Sequence, residues 1–359
     1  MMMNRRLNRT RRNRCRIGVG MPSFWKVRPE VFSMRRIFMT LAFLCAALPA
    51  LAQSPVPEKR LVIWPDTDFY GGDLQSLFDT TQEACERACL SDDRCVAFTF
   101  NGRSNACFPK TDISERQAYA GATSAEVLRT DPGVLARTAS RVGELGFLSD
   151  SALAQARAEA LAIGRRHPAA GRDLAQMIEA AREREAAGDR INAMGWMGAA
   201  VSRGDGAALW AEYARLSLAI QTQNGNQRRS YADRARLASI NAYLRGTSEG
   251  GRATAMVTLS QAYERLGRGR DMIPALRLAY DLQPRDEIAA ALEDAVGKYG
   301  FRITETVVES DSATPRICVA FSEPLDQAGT DYATFVRLPD PQLVVQAQGQ
   351  RLCVDGVQH

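Results

Sequence analysis

The spacing of hydrophobic positions changes character twice along the chain. Between residues 61 and 128 apolar runs are short and divided by turn signals: LVIW, then DFYGGD, then CVAFTF. LVIW reads as a strand, and Gly71-Gly72 supply the permissive backbone of a turn. Thr80-Thr81-Gln82-Glu83 matches a capping box, which predicts a helix from there to about Leu90. CVAFTF alternates as a strand, with Val96, Phe98 and Phe100 on one face and Cys95, Ala97 and Thr99 on the other. Asn101-Gly102 then predicts a hairpin into a strand around Ala106-Cys107-Phe108. From 134 to 299 the period is helical almost throughout. From 301 to 359 it returns to β: Ile317, Val319 and Phe321 alternate with Cys318, and Leu352 and Val354 with Cys353. About 60 residues falls short of the ~100 of a β-sandwich, so the chain is expected to stop inside that last domain. The predicted fold is therefore multidomain: a small disulfide-stapled α+β module, an all-α repeat-like region and a partial all-β sandwich.

Composition changes the picture mainly at the N-terminus. A hydrophobic content of 45% with 24% charged residues is ordinary for a globular protein. The formal charge of +5 would suggest nucleic acid, but residues 1–52 carry +10 of it, which leaves −5 for residues 53–359. MRRIFMTLAFLCAALPALAQ, from Met34, has a basic start, a short apolar core and an Ala50-Leu51-Ala52 cleavage pattern. Residues 34–52 read as a signal peptide cleaved before Gln53. The apolar core of about 12 residues is shorter than a membrane-spanning helix. Leu44 before Cys45 argues against a lipoprotein. Residues 1–33 read as an over-extended leader ahead of the true start at Met34. Residues 53–60, rich in proline, read as a linker. The expectation is an exported chain in the periplasm or extracellular envelope, without a transmembrane segment once mature and without a nucleic-acid partner.

Export gives the cysteines their meaning. Six of the eight lie beyond the leader: Cys85, Cys89, Cys95, Cys107, Cys318 and Cys353. The spacing C-x3-C-x5-C-x11-C partly overlaps that of a zinc site, but an oxidising compartment and the lack of nearby histidines argue for disulfides. Cys85 and Cys89 are i and i+4 and stack on one helix face; Cys95 opens the next strand, and Cys107 lies on its hairpin partner. Nested bridges Cys85–Cys107 and Cys89–Cys95 would pin one helix onto one hairpin. Cys318–Cys353 is expected to pair between neighbouring strands, the alternative being two buried thiols.

On these residues, GGD, C-x3-C on a helix, C-x-A-F-T-F and C-F-x-K, the segment 61–128 resembles the PAN/Apple module. That resemblance implies a helix bridged to a hairpin, and binding of protein or carbohydrate without catalysis. Residues 253–286 accept a 34-residue helix-pair template, with Met256, Leu259, Ser260, Tyr263, Leu276, Ala279 and Pro284 in place and Met272 departing. A weaker unit fits 174–207 through Ala193, Met197 and Ala200. The region resembles a degenerate tetratricopeptide or Sel1-like array; a generic helical bundle is the alternative. SDSATPRICVAFSEPL followed by DYATFV resembles the first macroglobulin-type domain of bacterial alpha-2-macroglobulin proteins. That resemblance implies proteases as partners, although no C-x-E-Q thioester tetrapeptide occurs in the chain.

Candidate chemistry is sparse. The two histidines are His167, beside Pro168, and His359, and no G-x-S-x-G occurs. His167 reads as a helix-end or surface residue. TSEGGRAT lacks the strand–loop–helix setting of a phosphate cradle. No catalytic residue, metal ligand or cofactor is expected. Asp66, Asp68 and Asp73 read as turn-capping groups, with Ca²⁺ binding the alternative. Trp64, Phe69, Tyr70 and Asp73, around the Gly-Gly turn, are the candidate ligand-binding residues. Trp196 and Trp210 read as packing residues and Arg182-Glu183-Arg184-Glu185 as a solvated helix face. The expected function is the non-enzymatic N-terminal portion of an exported protease trap. The alternative is a free-standing PAN protein binding glycan or protein at the envelope.

Overall fold

A computed structural model describes residues 54–356 apart from 170, 312–314 and 327–328; the proposed leader and signal peptide lie outside the described residues. The first sheet has the order β1-β4-β2-β3, from β1 (Lys59–Tyr70), β2 (Ala97–Asn101), β3 (Ala106–Lys110) and β4 (Glu115–Arg129). Helix α1 (Gln82–Ser91) covers one face, over Leu61, Ile63, Phe98 and Ala125. It begins one residue later than the capping box predicts. Thr81 is the N-cap, its hydroxyl accepting from Ala84 N at 3.2 Å, so Glu83 falls at the second helical position and cannot close the box. Cys85–Cys107 and Cys89–Cys95 tie this helix to the hairpin, with Cα separations of 5.5 and 5.3 Å.

The segment read as a linker is instead packed. Pro55, Val56 and Pro57 are buried, and β1 starts at Lys59 rather than Leu61. The two charges at the end of that segment, Lys59 and Arg60, act as caps. Lys59 Nζ donates to Leu90 O and Asp92 O at the end of α1, both at 3.1 Å. The Arg60 guanidinium donates to Ser202 O and Arg203 O at the end of a helix in the next region.

Nine helices follow among the described residues: α2 (Pro132–Glu144), α3 (Asp150–Arg166), α4 (Leu174–Ala186), α5 (Arg190–Gly204), α6 (Ala207–Ala219), α7 (Gly225–Arg245), α8 (Glu249–Arg265), α9 (Gly269–Leu282) and α10 (Asp286–Tyr299). From α4 to α10 each packs on its successor, while α2 and α3 lie against α7. Tyr213, Tyr243 and Trp210 are fully buried in the shared core; Trp196 is half-buried, with Arg172 over its ring. The pairs α4–α5 and α8–α9 turn in the same way. Gly188 (φ 78°) and Gly267 (φ 72°) each follow a helix end, and the next residue's amide bonds back to Arg184 O or Tyr263 O. Both glycines occupy the same place in the two 34-residue units read from the sequence.

Helix α3 closes the free edge of β1. Ala169 N donates to Ile63 O at 3.0 Å, and Gly164 lies so close to the strand that a Cβ there would stand 2.0 Å from Leu61 O. Strand β1 therefore has a core on each face. Leu61 and Ile63 belong to the module, whereas Val62 joins the helical core and Trp64 packs against it.

The last region is one antiparallel sheet, order β5-β6-β8-β7, where a partial sandwich was expected: β5 (Ile303–Glu309), β6 (Arg316–Phe321), β7 (Val344–Gln348) and β8 (Arg351–Asp355). Cys318 and Cys353 face each other across β6 and β8 and are bonded, Cα to Cα 4.0 Å. The register sets Val308, Ile317, Val354 and Val345 in one cross-strand row and Val319, Leu352 and Ala347 in the next. All lie on the face opposite the disulfide. That apolar face is incompletely covered, since Val308 is 65% exposed and Ile317, Val319, Val345 and Val354 only half-buried.

Candidate functional site

The four candidate residues do not form one patch. A bulge separates them: the β1–β4 register shifts between Pro65 and Thr67, with Asp66 at φ 49° and its Oδ1 accepting from Gly121 N at 2.9 Å. One residue of β1 there faces four of β4 (119–122), and this odd slip of three reverses the parity of the pairing beyond it. Phe69 consequently folds onto the same face as Trp64, their rings edge-on at 5.7 Å, and is fully buried. Its amide donates to Thr99 Oγ1 at 3.0 Å, and Thr99 bonds Ser124 at 2.7 Å. Phe69 is therefore a core residue and is withdrawn as a ligand contact.

Trp64 is half-buried beneath two cations. Arg116 stands 5.3 Å from its ring centroid and Arg203 5.9 Å. Glu126 joins the pair, 3.1 Å from Arg203 and 3.4 Å from Arg116. The indole Nε1 is buried with no hydrogen-bond partner among the described residues. This cluster lies where the module meets α5, and its arginines already occupy the aromatic faces a sugar would stack on. No sequence signal marked Arg116, Glu126 or Arg203, because Arg203 reaches the site from a helix 139 positions after Trp64.

Asp73 is paired with Lys110, whose side chain is nearly buried, and bridges to it through the backbone. Asp66, Asp68 and Asp73 are thus not gathered: the first braces the bulge, and the third holds β3. Among the described residues no group of three or more His, Cys, Asp or Glu is placed to hold a metal ion. Tyr70 is 43% exposed. The most exposed aromatic of the module is Phe78, which the sequence reading passed over. It is 68% open and stands edge-on to Phe108 at 6.4 Å, with Lys110 Nζ 5.9 Å from the Phe108 ring. Phe78 and the half-buried Phe108 present apolar area beside the partly exposed Asp73, with Lys110 nearly buried beneath. This surface suits docking; it contains no nucleophile–base pair.

His167 ends α3 as its C-cap. Its ring packs against Gly198, where a Cβ would come within 2.2 Å, and Nε2 is 2.9 Å from Tyr213 Oη. Burial, aided by the charges of Arg166 and Arg234, pushes its pKa down to about 3, while burial pushes the Tyr213 phenol up to about 12. The pair is neutral at physiological pH, with the half-buried imidazole packed over the fully buried Tyr213.

A family model described as PAN domain matches residues 67–112, from the end of β1 through β3. A curated protein of Zea mays named as a receptor protein kinase, ZmPK1, is 33% identical over 62 residues, which is 17% of this chain and 8% of that protein. No solved structure matches the chain. No helix among the described residues is long and apolar enough to cross a membrane.

Proposed function

We propose that this chain is the exported, non-enzymatic N-terminal portion of an alpha-2-macroglobulin-like endopeptidase inhibitor. The PAN module and helical region stand ahead of the first macroglobulin-type β-domain, and bait and thioester segments would lie outside the chain. The observation that carries the reading is the four-stranded sheet with Cys318–Cys353 on one face and the valine rows on the other. An apolar sheet face of this kind is stabilised when a second sheet packs on it, as in a sandwich. The equivalent glycine turns of α4–α5 and α8–α9 support a helical-repeat spacer between the two β-domains. The PAN module would supply binding, and proteases would be captured by the absent segments.

Reading the DNA beyond codon 359 tests this. A coding continuation that includes a Cys-x-Glu-Gln tetrapeptide is the expected result; a stop codon with no such coding downstream, in frame or near it, sinks the proposal. The second reading, a free-standing envelope protein binding glycan or protein, rests on the exposed Phe78–Phe108 surface and would then take its place.

A further inference from the structure

A cavity of about 310 Å³ opens where the start of α3 meets α7, α8 and the turn into α9. Its polar lining includes Ser149, Ser151, Arg236, Tyr263, Arg268 and Asp271. Tyr263 is 1% exposed, yet its hydroxyl has no hydrogen-bond partner among the described residues. The hydroxyl opens onto the cavity and is free to donate to whatever occupies it. Arg236, 3% exposed, is fixed by Asp233 at Nε (2.8 Å) and by Gln155 at Nη2 (2.7 Å), which leaves Nη1 without a partner among the described residues. Arg268 is placed by the glycine turn. Its amide bonds Tyr263 O, its guanidinium stands 4.7 Å from the Tyr263 ring centroid, and Asp271 takes its Nε at 2.6 Å. The start of α3 brings the positive end of the helix dipole to the rim, although Ser149 already caps the Ala152 amide there.

Asp233 and Asp271 are each held on one edge of an arginine, which leaves Arg236 Nη1, the rest of the Arg268 guanidinium and the Tyr263 hydroxyl as donors toward the cavity. A neutral molecule would leave several of them unsatisfied; an oxyanion would satisfy them together. The volume is at the small end for ligand sites. We propose that this cavity binds a small soluble oxyanion, either a carboxylate or a phosphate, with Tyr263, Arg236 and Arg268 as its donors. The proposal goes beyond the protease-trap reading and does not depend on it.

Calorimetric titration of the exported chain at low ionic strength, with inorganic phosphate and separately with citrate, tests the site. Saturable one-site binding of at least one probe is expected, and the probe that binds distinguishes phosphate from carboxylate. Tyr263→Phe keeps the ring and its burial, so its melting temperature should stay near that of the native chain while affinity falls about tenfold. Arg268→Gln should weaken binding at least as much. Arg182→Gln, on exposed α4 outside the lining, should leave it unchanged. No saturable binding of either probe, native affinity in Tyr263→Phe, or an equal loss in Arg182→Gln would each overturn the proposal.

Discussion

His167 shows how one side chain becomes a pH liability. Its pKa in the folded chain lies near 3, below the ordinary value of 6.5. The folded state therefore binds the proton less readily than the unfolded state does. The stability this group contributes is complete above about pH 6.5 and is lost as pH falls from there toward 3. Thermal melts between pH 7 and pH 5 should show a decline approaching ~1.4 kcal/mol per pH unit from this group, and His167→Gln should flatten it. An unchanged slope in that variant would mean the ring is solvated. The position of His167 at a helix end was legible from the Pro168 beside it; its partner was not, since Tyr213 arrives from α6. Phe69 was misread for a comparable reason. An aspartate in left-handed conformation looks like any turn aspartate in the sequence, yet Asp66 sits at the register slip beyond which β1 turns Phe69 onto the Trp64 face.

Among elements, α3 and β1 approach each other closely, and a glycine permits it. Alanine normally favours a helix interior over glycine by about 1 kcal/mol. At Gly164 the sign should reverse, because the added carbon would meet a strand carbonyl that is itself fixed in the sheet. Gly164→Ala is expected to lower stability by about 1–3 kcal/mol in urea unfolding, and a neutral or stabilising result would show that the two elements are not so close. Helical periodicity announced α3 and most of its neighbours, and the alternation of the cysteine-rich strands announced β2 and β6. The start of β1 was hidden. Lys59 and Arg60 are polar by any scale, and only the finished fold reveals that each reaches the carbonyls of a different helix end.

For the molecule as a whole, the joint between module and helices converges on Asp205, at the C-cap of α5 with φ 50°. It accepts from Arg245 Nε at 2.7 Å and from Trp210 Nε1 at 3.0 Å, with Arg60 of β1 3.8 Å away. Arg245 is almost fully buried. Asparagine tolerates the left-handed backbone but not the charge balance, so Asp205→Asn should cost about 3 kcal/mol of unfolding free energy. A loss under 1 kcal/mol would show that solvent reaches the joint. The three-region order of the chain was legible from its changing periods. This joint was not, because it depends on residues 60, 205, 210 and 245 meeting through one charge.

Strand β1 presents Leu61 and Ile63 to one core, and Val62 and Trp64 to the other. It is a wall common to two rooms, and a recombinant fragment cut at residues 61–128 would take the wall and leave one room open. Such a piece would carry bare apolar side chains and tend to aggregate. Any swivel of the module would likewise have to tear this wall, so a ligand docked on Phe78 and Phe108 would be held at a fixed attitude to the helices. The module is a bracket rather than a pendant.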